Sequence, residues 1–249
     1  MIKAVLFDLD GTLVQTEKLK AQSYAVAVQR IRGLSEPDDR AIEAYREIVG
    51  DSRDVASRHV MNRLDLEADL GPLVAERGVS EPWEALAAMR KEIYDGMVAD
   101  PQVIRDNQWP HTVGLLRIAK DSFCHTGLVT MSYRPEALHV LRALELEETL
   151  DVIVAREDVE KAKPDPEAYL LAARLLDVEP GACLVLEDSP NGARSGIAAG
   201  MAVVAVATPF TQAGLHESQV VDECSIVHSP DELIKVVSRR ILEQNRSAG

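Results

Sequence analysis

Two carboxylates directly follow the first apolar segment of the chain. Residues 2–7 have the composition of a buried strand, and Asp8 and Asp10 stand two positions apart after them. Residues two apart in an extended chain point to the same side, so these carboxylates would converge. Converging carboxylates need a cation or a shared proton, and hard oxygen ligands favour Mg²⁺. The pair therefore predicts magnesium-dependent chemistry.

Other interpretations of this segment need no such chemistry. Asp10 and Gly11 also form a common turn signal, which a strand followed by a simple turn would explain. An EF-hand calcium loop is disfavoured because Leu13 and Val14 stand where more oxygen ligands would be needed.

Four more polar residues follow or separate later apolar runs. Thr130 ends the run 126–130, Glu187 and Asp188 follow the run 183–186, and Lys163 lies between them in a proline-rich loop. Alone, Thr130 could be an ordinary strand-end hydroxyl and Lys163 a solvated surface lysine. Ser189 and Asn191, which come next, are predicted to cap a helix.

The elements that would position these groups fall into two sets. Residues 16–107 read as successive helices, the first over 16–32, ending at Gly33. Beyond Trp109, short apolar strands at 126–130, 152–155, 183–186 and 202–206 alternate with helices. This alternation predicts an α/β fold with a parallel, Rossmann-like sheet covered on both faces. We predict a core of residues 1–15 and 108–249 and an inserted helical domain of residues 16–107. Active sites of such sheets lie beyond the carboxyl ends of the strands.

Composition excludes several partner classes. With 27 basic and 41 acidic residues, the net charge of −14 argues against nucleic acid or an anionic membrane as partner. No run approaches the ~18 apolar residues of a membrane span. The three scattered cysteines and the absence of a signal-peptide pattern after Met1 predict a cytoplasmic protein, monomeric or homodimeric. The six histidines share no metal-ligand spacing along the sequence.

These motifs together resemble the haloacid dehalogenase superfamily, in the same order and spacing, over nearly the whole chain. The aspartate motif runs from Asp8 to Thr12, the hydroxyl motif ends at Thr130, the lysine motif begins at Lys163, and the acidic motif contains Glu187 and Asp188. The insertion after the first motif is similar to the C1-type helical cap of the subfamily that contains β-phosphoglucomutase and sugar-phosphate phosphatases.

The resemblance implies a role for each of these groups. Asp8 would attack phosphorus to form an aspartyl-phosphate, and the Asp10 side chain would act as general acid and base. Asp8, Asp188 and the backbone carbonyl of Asp10 would hold Mg²⁺, with Glu187 completing its outer shell. Lys163 and Thr130 would bind the remaining phosphoryl oxygens.

The cap residues bear on the substrate. Arg53, in the segment 50–53, and Arg90 stand at family-like positions for contacts to an anionic group, although surface arginines in salt bridges are the alternative. Ser132 and Lys20 are further candidate substrate contacts. Lys20 stands where β-phosphoglucomutases usually carry His, and Gln15 replaces an Asp, which argues against a mutase.

The resulting function prediction is a Mg²⁺-dependent phosphatase of a small phosphorylated metabolite, with a sugar phosphate as the expected substrate. The alternative is a β-phosphoglucomutase-like phosphosugar mutase. Dehalogenation is disfavoured because the family's dehalogenases lack the acid that stands here at Asp10. A catalytically silent binding protein would be expected to have lost a motif acid, and none is missing.

Overall fold

Six parallel strands form one sheet in the computed structural model, which describes residues 1–247. In chain order the strands are β1 (Ala4–Phe7), β2 (His125–Val129), β3 (Val152–Val154), β4 (Cys183–Glu187), β5 (Ala202–Val206) and β6 (Ile226–Val227). Their spatial order is β3-β2-β1-β4-β5-β6. Each neighbouring pair runs parallel. The predicted α/β sheet is confirmed, and β6 is a strand that the sequence reading did not identify.

The central position of β1 aligns the ends of three strands. Phe7 lies opposite Leu128 of β2 and Leu186 of β4, so these strands end close to level. All four residues of β1 are buried, as expected for a strand covered on both faces. The polar residues that follow β1, β2 and β4 therefore emerge at one edge of the sheet.

Six helices occupy the segment that follows β1. They are α1 (Thr16–Arg32), α2 (Asp39–Arg46), α3 (Arg53–Arg63), α4 (Glu67–Arg77), α5 (Pro82–Met97) and α6 (Pro101–Asp106). Tyr24, Val28, Leu70 and Leu86 are buried in one cluster that α1–α5 share. We call α1–α5 the cap.

The last helix of this segment belongs with the sheet by its packing. Ile104 of α6 and Val98 before it lie in the hydrophobic cluster of Phe7 and Leu128. The division of the chain at residues 107 and 108 remains a prediction.

Six more helices cover the sheet. They are α7 (Pro110–Asp121), α8 (Arg134–Ala143), α9 (Glu167–Leu175), α10 (Pro190–Ala198), α11 (Gln212–Ser218) and α12 (Leu233–Ser247). Leu6 and Phe7 point to opposite faces of the sheet. Leu6 shares a hydrophobic cluster with Tyr169 of α9, and Phe7 shares another with Leu116 of α7. No helix within residues 1–247 is long and apolar enough to cross a membrane.

Candidate active site at the carboxyl edge of the sheet

A cavity of about 50 Å³ lies between the carboxyl edge of the sheet and the cap. Its acidic lining residues are Asp8, Asp10, Glu17, Asp51, Glu136 and Glu187, and its basic ones are Lys20, Arg53, Arg90 and Lys163. The structure therefore brings most of the predicted site residues to one place. Thr130 and Asp188 are buried directly beside the lining residues Met131 and Glu187.

Lys163 joins the ends of three strands, β1, β2 and β4. Its Nζ donates to Oδ1 of Asp8 at 2.8 Å, to Oε1 of Glu187 at 2.6 Å and to the carbonyl of Val129 at 2.8 Å. The lysine is 3 % exposed, so this is a buried ion-pair network and not a surface amine. Tyr169, a residue that sequence reasoning missed, donates to the same Glu187 oxygen at 2.9 Å. Its place inside α9 gives no signal of this role in the sequence.

The titration of these groups reflects burial first. Burial raises the pKa of Asp8 from 3.8 to about 7, with Lys163 opposing and Glu187 adding to the rise. Burial also places the pKa of Asp188 well above its usual range, and the charges of Glu187 and Asp8 raise it further. Burial alone would lower the pKa of Lys163, but the neighbouring carboxylates outweigh it and raise that pKa. One lysine thus serves three buried carboxyl groups, and positive charge is deficient.

Asp8, Glu187 and Asp188 fit a divalent cation. Each can offer a carboxylate oxygen, and these oxygens lie within 4.8 Å of one another. Oδ2 of Asp188 is buried without a hydrogen-bond partner. A Cβ at Gly11, which has φ +91°, would lie 2.0 Å from that atom, so only glycine leaves it free. Hard oxygens, an orphaned acceptor and deficient positive charge match the ligand preferences of Mg²⁺.

Glu187 is already occupied by protein donors. Its Oε1 accepts from Lys163 and Tyr169, and its Oε2 accepts from the backbone N–H groups of Asp188 at 3.1 Å and Ser189 at 3.3 Å. The Ser189 hydroxyl donates to the same Oε2 at 3.1 Å. Asp8 and Asp188 therefore remain the carboxyl groups of this cluster that could ligate a cation directly, while Glu187 binds Lys163, Tyr169 and the start of α10.

Asp10 is held by residues on the cap side. Its Oδ2 accepts from Ser132 Oγ at 2.6 Å and forms an ion pair with Lys20 at 2.7 Å, and its Oδ1 accepts from Thr16. Lys20 also donates to Ser132 Oγ at 3.0 Å. Burial would raise the pKa of Asp10, but Lys20 and the two hydroxyls outweigh it and lower that pKa. Asp8 and Asp10 therefore sit in opposite electrostatic environments, which suits two different roles.

Thr130 follows β2 and is fully buried. Its Oγ1 accepts the backbone N–H of Ser132 at 3.0 Å, which shapes the turn that carries the Ser132 side chain to Asp10.

Arg53 connects the cap to the core. Its guanidinium donates to Glu136 of α8 and lies over the ring of Tyr133, 4.7 Å from the centroid. Lys91 of α5 approaches the same carboxylate at 3.8 Å. Arg53 is thus neither a free surface arginine nor, in this conformation, a free anion-binding group.

Arg90 is buried inside the cap. It is 4 % exposed and lies between the rings of Tyr24 and Tyr94, with centroid distances of 5.4 and 5.5 Å. Its Nε has no hydrogen-bond partner. Arg90 therefore lines the cavity, and the two tyrosine rings hold its guanidinium in place.

The loop before α3 closes over the core. A Cβ at Gly50, where φ is +95°, would lie 2.6 Å from Ser189 Oγ. Asn191 of α10 donates to Asp51 at 2.9 Å, so Asn191 bridges to the cap and the capping prediction for it is wrong. The capping prediction is confirmed for Ser189, whose Oγ accepts from the N–H of Gly192 at 3.1 Å.

Sequence reasoning missed other lining residues. Glu17, Tyr24 and Tyr45 come from the cap, and Tyr133 and Glu136 from the core. Glu17 follows Thr16 at the start of α1, where an acid is also typical of helix-dipole stabilisation, so its type and position alone did not distinguish the two roles.

The structure also gathers two histidines that are distant in sequence. His216 Nδ1 and His228 Nε2 lie 3.1 and 2.9 Å from the two carboxylate oxygens of Glu223, on an exposed surface. Histidines without a metal-ligand spacing in the sequence can therefore still lie close together in the structure. Each of these atoms already has a partner within the group.

Two relatives named as phosphatases are similar to this chain over most of its length. The chain is 33 % identical over 221 residues to hexitol phosphatase A of Escherichia coli, covering 88 % of this chain and 89 % of that protein. It is 29 % identical over 200 residues to a phosphorylated carbohydrates phosphatase of Thermotoga maritima, covering 80 % and 82 %.

The fold has close structural neighbours. The β-phosphoglucomutase of Clostridium difficile superimposes with a TM-score of 0.76 over 98 % of both chains, at 20 % identity, which supports the fold and not the activity. A family model for haloacid dehalogenase-like hydrolases matches residues 2–200. With its motif residues assembled at one sheet edge beneath a helical cap, the chain belongs to the haloacid dehalogenase-like hydrolases.

Proposed function

We propose that this protein is a Mg²⁺-dependent phosphatase that hydrolyses a small phosphorylated metabolite, with a sugar or polyol phosphate as the expected substrate class. The observation that carries the proposal is the pair formed by Asp8 and Lys163 beside the unpartnered Oδ2 of Asp188. Relatives named as phosphatases of hexitol phosphates and phosphorylated carbohydrates support the same class.

The first step transfers the phosphoryl group to Asp8. A carboxylate oxygen of Asp8 bonds to phosphorus while the bond to the ester oxygen breaks, and Asp10 donates a proton to the departing alcohol. Lys163, 2.8 Å from Asp8, keeps positive charge next to the transferred group. Thr130, buried at the end of β2, is the proposed hydroxyl contact to its oxygens.

The second step uses water. Asp10, now ionised, takes a proton from the attacking water, the bond between phosphorus and Asp8 breaks, and inorganic phosphate leaves. Lys20, with Ser132 and Thr16, lowers the pKa of Asp10 and so favours the ionised form that accepts this proton. The cap excludes bulk water until the phosphoryl group is in place.

Asp8, Asp188 and the backbone carbonyl of Asp10 are the proposed holders of Mg²⁺. One lysine cannot neutralise three buried carboxyl groups. When bound, the ion would supply the missing positive charge and stabilise negative charge on the phosphoryl oxygens. Glu187 holds Lys163 and the start of α10 in position around it.

Lys20 favours hydrolysis over the mutase alternative. Its ammonium, carried by α1 of the cap, is 2.7 Å from Asp10 and 3.0 Å from Ser132, so an ion pair holds the acid and base group at the position where the mutases carry His. In the mutases a His at this position helps couple that group to cap closure.

The predicted cytoplasmic location and the monomeric or homodimeric state remain predictions.

Phosphate release tests the proposed function. We expect Mg²⁺-dependent release of inorganic phosphate from hexose or hexitol phosphates in a panel that also holds phosphoglycolate and nucleoside monophosphates, and we expect EDTA to abolish it. Efficient isomerisation of β-glucose 1-phosphate primed with the 1,6-bisphosphate, without phosphate release, would establish the mutase instead. Full activity in EDTA would contradict the metal assignment.

A further inference from the structure

Glu17 is a buried carboxyl group that the proposed chemistry does not use. It stands in the first turn of α1, is 1 % exposed and lines the cavity. Its Oε2 has no hydrogen-bond partner. A buried polar atom without a partner is costly, so a ligand that pairs with it would be recognised strongly.

Two of the nearby cations are already engaged. Lys20 pairs with Asp10, and Arg53 pairs with Glu136, so neither neutralises Glu17 in this conformation. Burial raises the pKa of Glu17 from 4.5 to about 8, and the charge of Asp10 contributes to the rise. Near neutral pH the group can therefore donate as well as accept a hydrogen bond.

The surroundings of Glu17 suit a neutral polar ligand. Tyr24 and Tyr45, whose ring centroids are 5.4 Å apart, form an aromatic wall of the same cavity. Acidic lining residues outnumber basic ones, six to four. A second phosphate or a carboxylate beside Glu17 would meet excess negative charge, whereas hydroxyl groups would not.

We propose that Glu17 is a specificity-determining residue that hydrogen-bonds a hydroxyl of the neutral, polyhydroxylated part of a monophosphate substrate. The inference rests on the proposed phosphatase function and deepens it by naming a residue that selects the neutral part of the substrate. It predicts a preference for polyol or sugar monophosphates over bisphosphates and over phosphoglycolate. Both protonation states of Glu17 can make the contact, because the hydroxyl can donate or accept.

Two variants of similar size separate hydrogen bonding from charge and packing. Glu17→Gln keeps a donor and an acceptor, whereas Glu17→Met keeps the length and loses both. Glucitol 6-phosphate and n-hexyl phosphate serve as substrates with the same carbon count, with and without hydroxyls. The measured quantity is kcat/KM for glucitol 6-phosphate divided by kcat/KM for n-hexyl phosphate. We expect Glu17→Met to lower this ratio by ~10- to 100-fold, and Glu17→Gln to lower it by less than about 5-fold.

Controls keep the outcome specific. Glu76→Met, on the exposed side of α4, should keep the wild-type ratio. An unchanged ratio in Glu17→Met overturns the inference, and so does an equal loss in the Gln and Met variants. A melting curve for each variant with Mg²⁺ confirms that the fold is intact.

Binding without turnover separates this inference from the proposed function. In an Asp8→Asn background, calorimetry with glucitol 6-phosphate and Mg²⁺ should show Kd raised ~10-fold or more by Glu17→Met and little by Glu17→Gln. That result supports the contact even if the wild type releases no phosphate, which would refute the phosphatase proposal alone. Equal Kd values, or no binding of glucitol 6-phosphate, overturn the inference.

Discussion

At the scale of single residues, the environments of Asp8 and Asp10 differ more than their spacing suggests. Asp8 shares one buried lysine with Glu187, and its pKa rises to about 7, whereas Lys20 and two hydroxyls lower the pKa of Asp10. Asp8 lies next to Lys163 and Asp10 next to Lys20, so the two carboxyl groups have separate partners and can take separate roles.

Asp8→Asn should lower the turnover rate by at least about 100-fold, because an amide attacks phosphorus poorly and offers no charge to a metal. The fold should persist, since the substitution is isosteric. Initial rates with glucitol 6-phosphate and a melting curve measure both. Asp121→Asn, the same change at an exposed position of α7, is the control and should be silent. Turnover above a few per cent in pure Asp8→Asn protein would rule out its nucleophilic role.

Asp188→Asn should raise the Mg²⁺ concentration for half-maximal activity by roughly 10-fold or more, because it removes a ligand charge beside the unpartnered Oδ2. Its metal-free form should be no less stable than the wild type, because a repulsive buried carboxyl group is gone. Magnesium titrations of activity and melting curves in EDTA test the two claims. An unchanged Mg²⁺ requirement would place the metal elsewhere.

At the scale of elements, the contacts between cap and core decide how the site closes. Arg53 at the start of α3 pairs with Glu136 of α8, and the loop containing Gly50 packs on Ser189. Asp51 and Asn191 add a hydrogen bond across the same junction. These contacts are made only when the cap lies on the core, so they favour the closed arrangement.

Arg53→Ala should lower kcat/KM for glucitol 6-phosphate by ~10-fold, because the charge-assisted contact at closure is lost. Arg77→Ala removes a similar ion pair, with Glu92, that lies wholly within the cap and should leave kcat/KM unchanged. Steady-state kinetics of both variants make the comparison. Equal losses would show that Arg53 supports the cap in general; no loss would make its pair with Glu136 a passive surface contact.

Gly50→Ala should impair closure. Both Gly50 and Gly78 have positive φ, so an Ala at either position carries similar backbone strain, but only the Cβ at Gly50 would clash, 2.6 Å from Ser189 Oγ. We expect kcat/KM to fall at least ~10-fold in Gly50→Ala and to hold in Gly78→Ala. Similar kinetics in the two variants would mean that the loop does not need this close approach.

At the scale of the whole molecule, closure and substrate entry conflict. A cavity of about 50 Å³ has room for one or two water molecules, not for a sugar phosphate. The cap must therefore move away from the sheet edge for substrate to enter and product to leave. Most buried residues of the cap form their own hydrophobic cluster around Tyr24 and Leu86, distinct from the clusters on the sheet, and we expect the cap to move as a unit.

The buried carboxyl groups should make metal-free stability depend on pH. Burial raises the pKa of Asp8 to about 7 and that of Glu17 to about 8. Groups raised in this way stabilise the fold fully below their unfolded pKa of ~4, and the contribution is lost as the pH rises through the folded values. In EDTA, Tm should fall by roughly 3–10 °C between pH 5 and pH 8.

Melting curves across that pH window measure the effect. Glu17→Gln should reduce the slope, because the amide does not titrate, and Mg²⁺ should recover stability most at the alkaline end. A flat Tm in EDTA between these limits would contradict the assigned pKa directions.

The sequence determined the sheet and the convergence of the motifs. Asp8, Lys163 and Asp188 could be placed at one edge because parallel strands end at the same side, and local residue types mark where each strand stops. Glycine at position 33 ended α1 as predicted, since a left-handed residue terminates a helix locally. The short strand β6 escaped prediction because two apolar residues carry no periodic signal.

Only the tertiary structure decided what the cap does at the site. Arg53 pairs with Glu136, and Gly50 approaches Ser189, across distant segments of the chain. Folding also buries an oxygen of Glu17 without a hydrogen-bond partner. Nothing in residue type or spacing distinguishes these from surface pairs, turns or helix-dipole acids. Burial creates the difference, because a charge or an oxygen acquires a functional environment only where packing removes water and fixes its neighbours.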